Sequence, residues 1–300
     1  IYPTEEQKIL LGKTFGCCRF LYNQMLNDKI REYEKTKKML KNTPAMYKKE
    51  YPFLKEVDSL ALANVQLHLE KAYKNFFRDP KIGFPRFKSK HHSKNSYTTN
   101  VVNGNILVES KRIRLPKLKW IAMKKHREPA KGLCLKSVTV SMEPSGKYFA
   151  SLLYEGYSCE NQAAEPDYST AKILGIDYAM QGMAVFSEKV ETEEAGFFRK
   201  NEKRLAREQR KLSRCVRGSH NYELQKKKVA RCHEKIRNQR RDYLHKLSRK
   251  IADGYDAVAV EDIDMKAMGQ CLHFGKSVHD NGYGMFRELL DYKLAWKGKK

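Results

Sequence analysis

The stretch that decides the fold is Lys172-Ile173-Leu174-Gly175-Ile176-Asp177-Tyr178-Ala179-Met180-Gln181-Gly182-Met183-Ala184-Val185-Phe186-Ser187. A short apolar run ends on a carboxylate, a turn follows near Gly182, and a second apolar run returns. The pattern predicts two adjacent strands with an acid at the end of the first. Further along, Ala257-Val258-Ala259-Val260-Glu261-Asp262-Ile263 has the same design, a short β-branched run closed by an acid, and predicts a buried core strand.

Between these strands the sequence predicts two long basic helices, roughly 198–215 and 219–253, with Gly218 and Ser219 as break and N-cap. Residues 199–250 carry twenty Lys and Arg against five Asp and Glu, while Val229, Cys232, Ile236, Tyr243, Leu247 and Ile251 mark one apolar stripe. One face packs and the other is basic. A final helix is expected after Gly284, carrying Phe286, Leu289, Leu290, Leu294 and Trp296.

Toward the N-terminus, Thr4 followed by Glu5, Glu6 and Gln7 reads as a helix start, and Leu10, Leu11, Phe15, Phe20, Leu21, Met25 and Leu26 recur at helical spacing. That helix is expected to reach about residue 40. A second begins at Ser59, runs through Leu62, Val65, Leu69, Tyr73 and Phe76, and stops at Asp79 and Pro80. Residues 83–99 have no clean period and read as an irregular segment. From Val101 to about Glu155 short alternating runs, separated by Pro144-Ser145-Gly146, predict a small antiparallel sheet or barrel, followed by a polar linker at 156–171. The fold class expected is α+β and multidomain: a helical lobe at 1–95, a small antiparallel β-barrel at 96–170, and a mixed domain with a helical insertion at 171–300.

Composition narrows the partners. The 300 residues are 41% hydrophobic, enough for real cores, and carry a formal charge of +25 with a pI near 9.7. A charge of that size calls for a polyanion. No stretch approaches the roughly 18 consecutive apolar residues of a membrane span, and no terminal signal pattern is visible. The expectation is an intracellular nucleic-acid-binding protein with no membrane partner. Seven cysteines (Cys17, Cys18, Cys134, Cys159, Cys215, Cys232, Cys271) include no CxxC pair, so neither a disulfide framework nor a zinc site is indicated.

Asp177 and Glu261 are the candidate catalytic and metal-ligating residues. A lone acid at a strand end most often only meets water. Two at the ends of two core strands fit phosphodiester hydrolysis, which requires acidic ligands for Mg²⁺ on an open face. Asp262 is expected on the opposite face from Glu261 by strand alternation, and Asp264 lies close in sequence. Candidate nucleic-acid contacts are Arg204, Lys211, Arg214, Lys228, Arg237 and Arg241 on the basic helices, where phosphates would relieve the self-repulsion. In the irregular segment Arg86, Phe87, Lys88, Lys90, Lys94 and Tyr97 mix cations with aromatics, a combination that pairs phosphate contacts with base stacking. His91, His92, His126 and His245 have no visible partner and read as surface or packing residues.

Eight segments then carry a resemblance: Phe20-Leu-Tyr-Asn23, Ala72-Tyr-Lys-Asn-Phe-Phe-Arg78, Gly83-Phe-Pro-Arg-Phe-Lys88, Ile113-Arg-Leu-Pro-Lys-Leu118, Gly175-Ile-Asp177, Leu244-His-Lys-Leu-Ser248, Val260-Glu-Asp-Ile263 and Tyr292-Lys-Leu-Ala-Trp296. In this order the chain resembles TnpB, the OrfB-type protein of bacterial insertion sequences, related to the type V CRISPR nucleases. The resemblance implies a helical recognition lobe, a wedge-like β-barrel, and a RuvC-like RNase H fold split by a helical insertion. It also implies that Asp177 and Glu261 are the first two metal-binding carboxylates of an RNA-guided, Mg²⁺-dependent DNA endonuclease in the bacterial cytoplasm, associated with the nucleoid. Its partners would be a guide RNA and target double-stranded DNA, cut beside a short motif.

The sequence departs from the family pattern in three ways. The CxxC…CxxC zinc ribbon and third active-site Asp that normally follow the last helix are not found in these residues; Zn²⁺ is expected only with that ribbon. The strand that usually precedes the segment at Ile1-Tyr2-Pro3 is not seen, and Asp177-Tyr-Ala-Met180 replaces the usual Asp-Leu-Gly. Two other readings fit the same charge: an RNA-guided DNA-binding protein that represses by occupancy, and a generic basic RNA-binding module.

Overall fold

The structure is a computed structural model that describes residues 1–90, 93–156, 170–179, 183–190, 192, 196–263 and 281–300. The chain divides into two compact units, Ile1–Ser158 and Cys159–Lys300.

In the first unit, α1 spans Glu5–Thr36 and opens with a capping box: Gln7 N donates to Thr4 Oγ1 and Thr4 N donates to Gln7 Oε1. The Gln7 amide also donates to the Leu118 and Trp120 carbonyls, both at 2.9 Å, which ties the helix start to the sheet beneath it. Lys37, with φ at 57°, ends the helix a few residues earlier than the periodicity predicts. A seven-residue helix, α2 (Pro44–Glu50), follows; the sequence reading has no counterpart for it. Helix α3 (Ser59–Arg78) begins and ends where its pattern predicts. Its cap, Asp58, accepts from Leu60 N and from Thr99 Oγ1, joining helix to strand.

Strands β1 (Asn95–Asn100), β5 (Cys134–Met142) and β6 (Tyr148–Glu155) form one antiparallel sheet in the order β1-β5-β6. Strands β2 (Leu107–Val108), β3 (Arg112–Leu115) and β4 (Lys119–Ala122) form another, in chain order. The antiparallel sheets expected here are present, but among the described residues they do not close into one barrel. Closure requires each edge strand to pair with another, and here β1, β6, β2 and β4 remain edges of two separate three-stranded sheets. The two edges are instead bridged by the first residues: the Ile1 ammonium donates to Tyr148 O (3.0 Å) and Tyr2 N to Ala122 O (2.7 Å). Leu11, Phe15, Leu21 and Met25 of α1, Leu62 and Leu69 of α3, and Ile113, Ile121, Val138 and Val140 of the strands bury into one core.

In the second unit β7 (Ile173–Ala179) lies between β8 (Met183–Phe186), antiparallel, and β9 (Ala257–Val260), parallel. Helices α4 (Phe197–Ser213) and α5 (His220–Gly254) form a hairpin. Gly218, at φ 82°, makes the left-handed turn that most residues avoid, and Ser219 caps α5 by accepting from Tyr222 N. The hairpin is closed by Leu205, Cys232 and Ile236, and by Gln225, whose amide donates to the Glu208 carbonyl and carboxylate. Helix α6 (Tyr283–Ala295) lies against α5, burying Phe286, Leu290 and Leu294 with Leu174, Ile176, Leu244, Leu247 and Ile251. Trp296, expected in that stripe, is 75% exposed. Beside β9, Val258 N donates to Lys300 O at 2.8 Å. Among the described residues no helix is long and apolar enough to cross a membrane.

Candidate active site

Strands β7 and β9 run parallel with Ile176 opposite Val260, so the next residues, Asp177 and Glu261, stand at the same level. Glu261 follows the last residue of β9 as the sequence predicts, whereas Asp177 lies inside β7, paired with Val185 of β8 two residues before the strand ends at Ala179, because the hairpin ladder carries β7 past the apolar run. Alternation sends Leu174 and Ile176 into the core, where they are buried, and turns Asp177 to the other side, exposed. The ladder between β7 and β8 is extended at its open end by Ser187, which donates its N–H to Gly175 O and accepts from Gly175 N at its hydroxyl, both at 2.9 Å.

The two carboxyl groups meet. The hydrogen bond to Asp177 is the largest cause holding the Glu261 carboxyl above its ordinary range, followed by desolvation and by repulsion from the Asp177 charge. The neighbouring Asp177 thus favours the protonated form of Glu261. A donor set of this kind, hard oxygens facing water from two adjacent strands, suits a divalent cation that would take the place of the Glu261 proton.

Two residues that the sequence reading did not single out adjoin the pair. Tyr283, fully buried at the start of α6, stacks edge-on against Tyr178 (5.2 Å) and feels both carboxylates and Arg287. Arg287, one helical turn on, binds Asp262 at 3.2 Å. Asp262, 95% exposed, is paired with Arg287; it lies past the end of β9, so strand alternation does not set its direction, and Asp264 lies outside the described residues. Among the described residues no third His, Cys, Asp or Glu joins the two carboxylates. The only sequence signal for Tyr283 and Arg287 is their helical spacing, which does not reveal what α6 packs against.

On the hairpin, Arg204, Lys211, Arg214, Lys228, Arg237 and Arg241 are all exposed. Arg241 donates to His245 Nε2, whose pKa is lowered by burial and by Lys293 and Arg241, so this histidine is neutral near pH 7 and belongs to the packing. In the first unit Arg86, Lys94 and Phe87 are exposed, Phe87 by 55%. Lys88 and Tyr97 are placed otherwise. Asn23 accepts from Lys88 N (2.8 Å) and donates to Lys88 O (2.9 Å), and the Lys88 ammonium lies 4.0 Å above the Tyr22 ring. Tyr97 is 4% exposed against Phe15, a core residue with no face left for a base. His91 and His92 lie outside the described residues, as do Cys159 and Cys271. Cys17 and Cys18 are buried free thiols, Cys18 pushed up to about 12 chiefly by desolvation.

Comparison with known proteins agrees with this architecture. A family model described as a probable transposase matches residues 156–271, and a helix-turn-helix domain model of the same OrfB type matches residues 1–38. A Streptomyces pristinaespiralis protein named "Putative RNA-guided DNA endonuclease" is 31% identical over 311 residues, covering all of this chain and 74% of that protein. Its Escherichia coli K12 counterpart InsQ, with the same descriptive name, is 31% identical over 323 residues, covering 99% of this chain and 76% of its own length. A solved structure, "Cryo-EM structure of the Cas12f1-sgRNA-target DNA complex", shares the mixed helix-and-sheet fold over 98% of this chain and 72% of that one, at a TM-score of 0.52 and 14% identity. With similarity of this order to two such relatives along the whole of its length, the chain belongs to the TnpB family of OrfB-type transposon proteins.

Proposed function

We propose that this protein is an RNA-guided DNA endonuclease of an insertion sequence, with Asp177 and Glu261 as the metal-binding carboxylates of a RuvC-like site. The observation that carries the reading is the meeting of those two carboxyls on adjacent parallel strands, with the Glu261 carboxyl raised above its ordinary range by Asp177. The names of the two relatives, and the guide RNA and target DNA held in the Cas12f1 complex, support the same two partners here.

Asp177 and Glu261 would hold Mg²⁺, which when bound supplies Lewis acidity to a phosphoryl oxygen and lowers the pKa of water. Everything else is positioning. The parallel register of β7 and β9 fixes the carboxylates together, and Arg287 keeps Asp262 from competing with them. The exposed cations of the α4–α5 hairpin hold phosphates, while base pairing with the guide reads the sequence and the protein reads a short flanking motif. In this reading residues 1–95 are the recognition lobe, 96–170 the wedge and 171–300 the nuclease domain.

The test is to express the protein with its natural flanking DNA, purify it at high salt, and sequence the retained RNA. The expected result is one RNA species from the element's end and guided cutting that Asp177→Ala abolishes without loss of that RNA. A discrete RNA with no cutting by the wild type would make the protein a guided binder. A mixture resembling total cellular RNA would overturn guidance altogether.

A further inference from the structure

Four aromatic rings gather where α3 ends. Tyr73 lies 6.2 Å from Phe77 and 5.6 Å from Phe84, and Phe76 lies 5.5 Å from Phe77 and 5.4 Å from Phe84. Leu69 and Tyr73 are buried, and Phe77 is the next residue on that helical stripe, yet it is 66% exposed; Phe84 is 45% exposed and Phe87, three residues on, 55%. Core packing does not account for rings left this open.

Nor does a loose chain account for them. The strap from Gly83 to Lys90 is held by Asn23, which binds both backbone groups of Lys88, by the Lys88 ammonium on the Tyr22 face, and by buried Pro85. The scaffold therefore fixes Phe84 and Phe87 in the open. On the end of α3 and the strap that carry the rings, Lys74, Arg78, Lys81, Arg86 and Lys90 are all exposed. Of the nearby acids, Asp79 is turned back to accept from Lys81 N, and Glu70 accepts from Gln66.

We propose that Phe77, Phe84 and Phe87 form a stacking platform for unpaired nucleotide bases, with Arg78 and Arg86 on the adjoining phosphates. The proposal rests on the nucleic-acid reading above and adds a subsite to it. A duplex offers the cations phosphates but hides its base faces, and an apolar protein surface meets the rings but not the ring of positive charge. A single strand offers both.

The experiment uses the 300-residue chain, fluorescein-labelled single-stranded RNA and DNA oligomers, and a duplex of the same length, with affinities followed against salt. The double variant Phe77→Leu/Phe87→Leu keeps the apolar bulk and removes the π faces. It should weaken single-strand binding by about fivefold or more, with duplex affinity and salt slope unchanged. Arg78→Gln/Arg86→Gln should reduce the salt slope instead. The RNA and DNA arms decide which strand the platform prefers. Unchanged single-strand affinity in the phenylalanine variant overturns the platform and leaves guided cleavage standing. Absence of nucleic-acid binding by the wild type overturns both.

Discussion

Asn23 holds Lys88 by both backbone groups, accepting its N–H and donating to its carbonyl across 65 residues of chain. Two of the segments that carry the family resemblance, Phe20-Leu-Tyr-Asn23 and Gly83-Phe-Pro-Arg-Phe-Lys88, are thus one structural device. Only an amide presents a donor and an acceptor side by side, so Asn23→Asp loses the donor and Asn23→Leu loses both. At about 1 kcal/mol per bond, plus the desolvation of backbone groups left unpaired, Asn23→Leu should destabilise the first unit by about 2 kcal/mol. Urea denaturation followed in that unit measures it. A loss within error of zero would mean that the strap is held by its aromatic contacts alone.

Lys293 does the same work in the second unit. Its ammonium donates to the His245 carbonyl at 2.7 Å and to Ser248 Oγ at 2.6 Å, pinning α6 to the interior of α5, where Ser248 is fully buried. Lys293→Met keeps the stem and removes a half-buried charge with two charge-assisted bonds, and should cost about 2 kcal/mol. Lys293→Arg should not rescue it, because a planar fork does not reach two acceptors grouped around a point. Thermal melts of the two variants check this, and full stability in the arginine variant would show that the charge matters without the geometry.

These two contacts mark where the sequence was legible and where it stopped. Strand ends, helix stripes and caps depend on neighbours a few residues away, so the caps Thr4 and Ser219, the start of α3 at Ser59 and Glu261 at the end of β9 could be read directly, whereas Asp177 lies inside β7 because the pairing with β8 extends that strand to Ala179. Strand β1 escaped because its alternation is of Ser, Thr and Asn: Thr98 hydrogen-bonds Thr139 on one face while Tyr97 and Thr99 bury on the other. Tyr97 then reads as a surface aromatic only if its strand is missed. Lys88 reads as a free cation because nothing local announces Tyr22 or Asn23. Tyr283 and Arg287 could not be tied to the carboxylates, since that juxtaposition depends on α6 packing against the sheet. The barrel was overread from alternation, which predicts strands but not how many share an edge.

The carboxyl pair predicts an opposition between stability and metal binding. Glu261 is raised above its ordinary 4.5 in the folded protein, so the folded state holds a proton that the unfolded chain gives up. Metal-free stability should therefore fall as pH rises from 4.5 through the raised value, and be regained below it. Asp177→Asn removes the charge that raises Glu261 and should flatten this dependence, melting higher than the wild type at neutral pH. Saturating Mg²⁺ or Mn²⁺ should reverse the order, with cation affinity weakening as pH drops and the Glu261 proton returns. Melting temperatures of both proteins from about pH 4 to pH 8, with and without cation, test it. Parallel curves in the absence of metal would mean that the carboxyls do not couple.

The hairpin carries the last prediction. Helices α4 and α5 are held together by Leu205, Cys232, Ile236 and the Gln225–Glu208 contact; the Glu208 carboxylate also attracts the exposed Lys211, Arg207 and Lys228, pairs that water screens. Removing Arg204, Arg214 and Lys228 should therefore leave the fold intact and relieve like-charge repulsion, so the triple alanine variant is expected to melt at or slightly above the wild-type temperature. If each residue neutralises one phosphate, the logarithmic salt slope of duplex binding should shrink by about 0.9 per residue, or about 0.7 on a single strand. The change should be the same for unrelated sequences, because phosphate contacts carry no sequence information. A slope unchanged by the triple variant, with the fold preserved, would take the hairpin out of the nucleic-acid interface and leave its positive charge a solvated face.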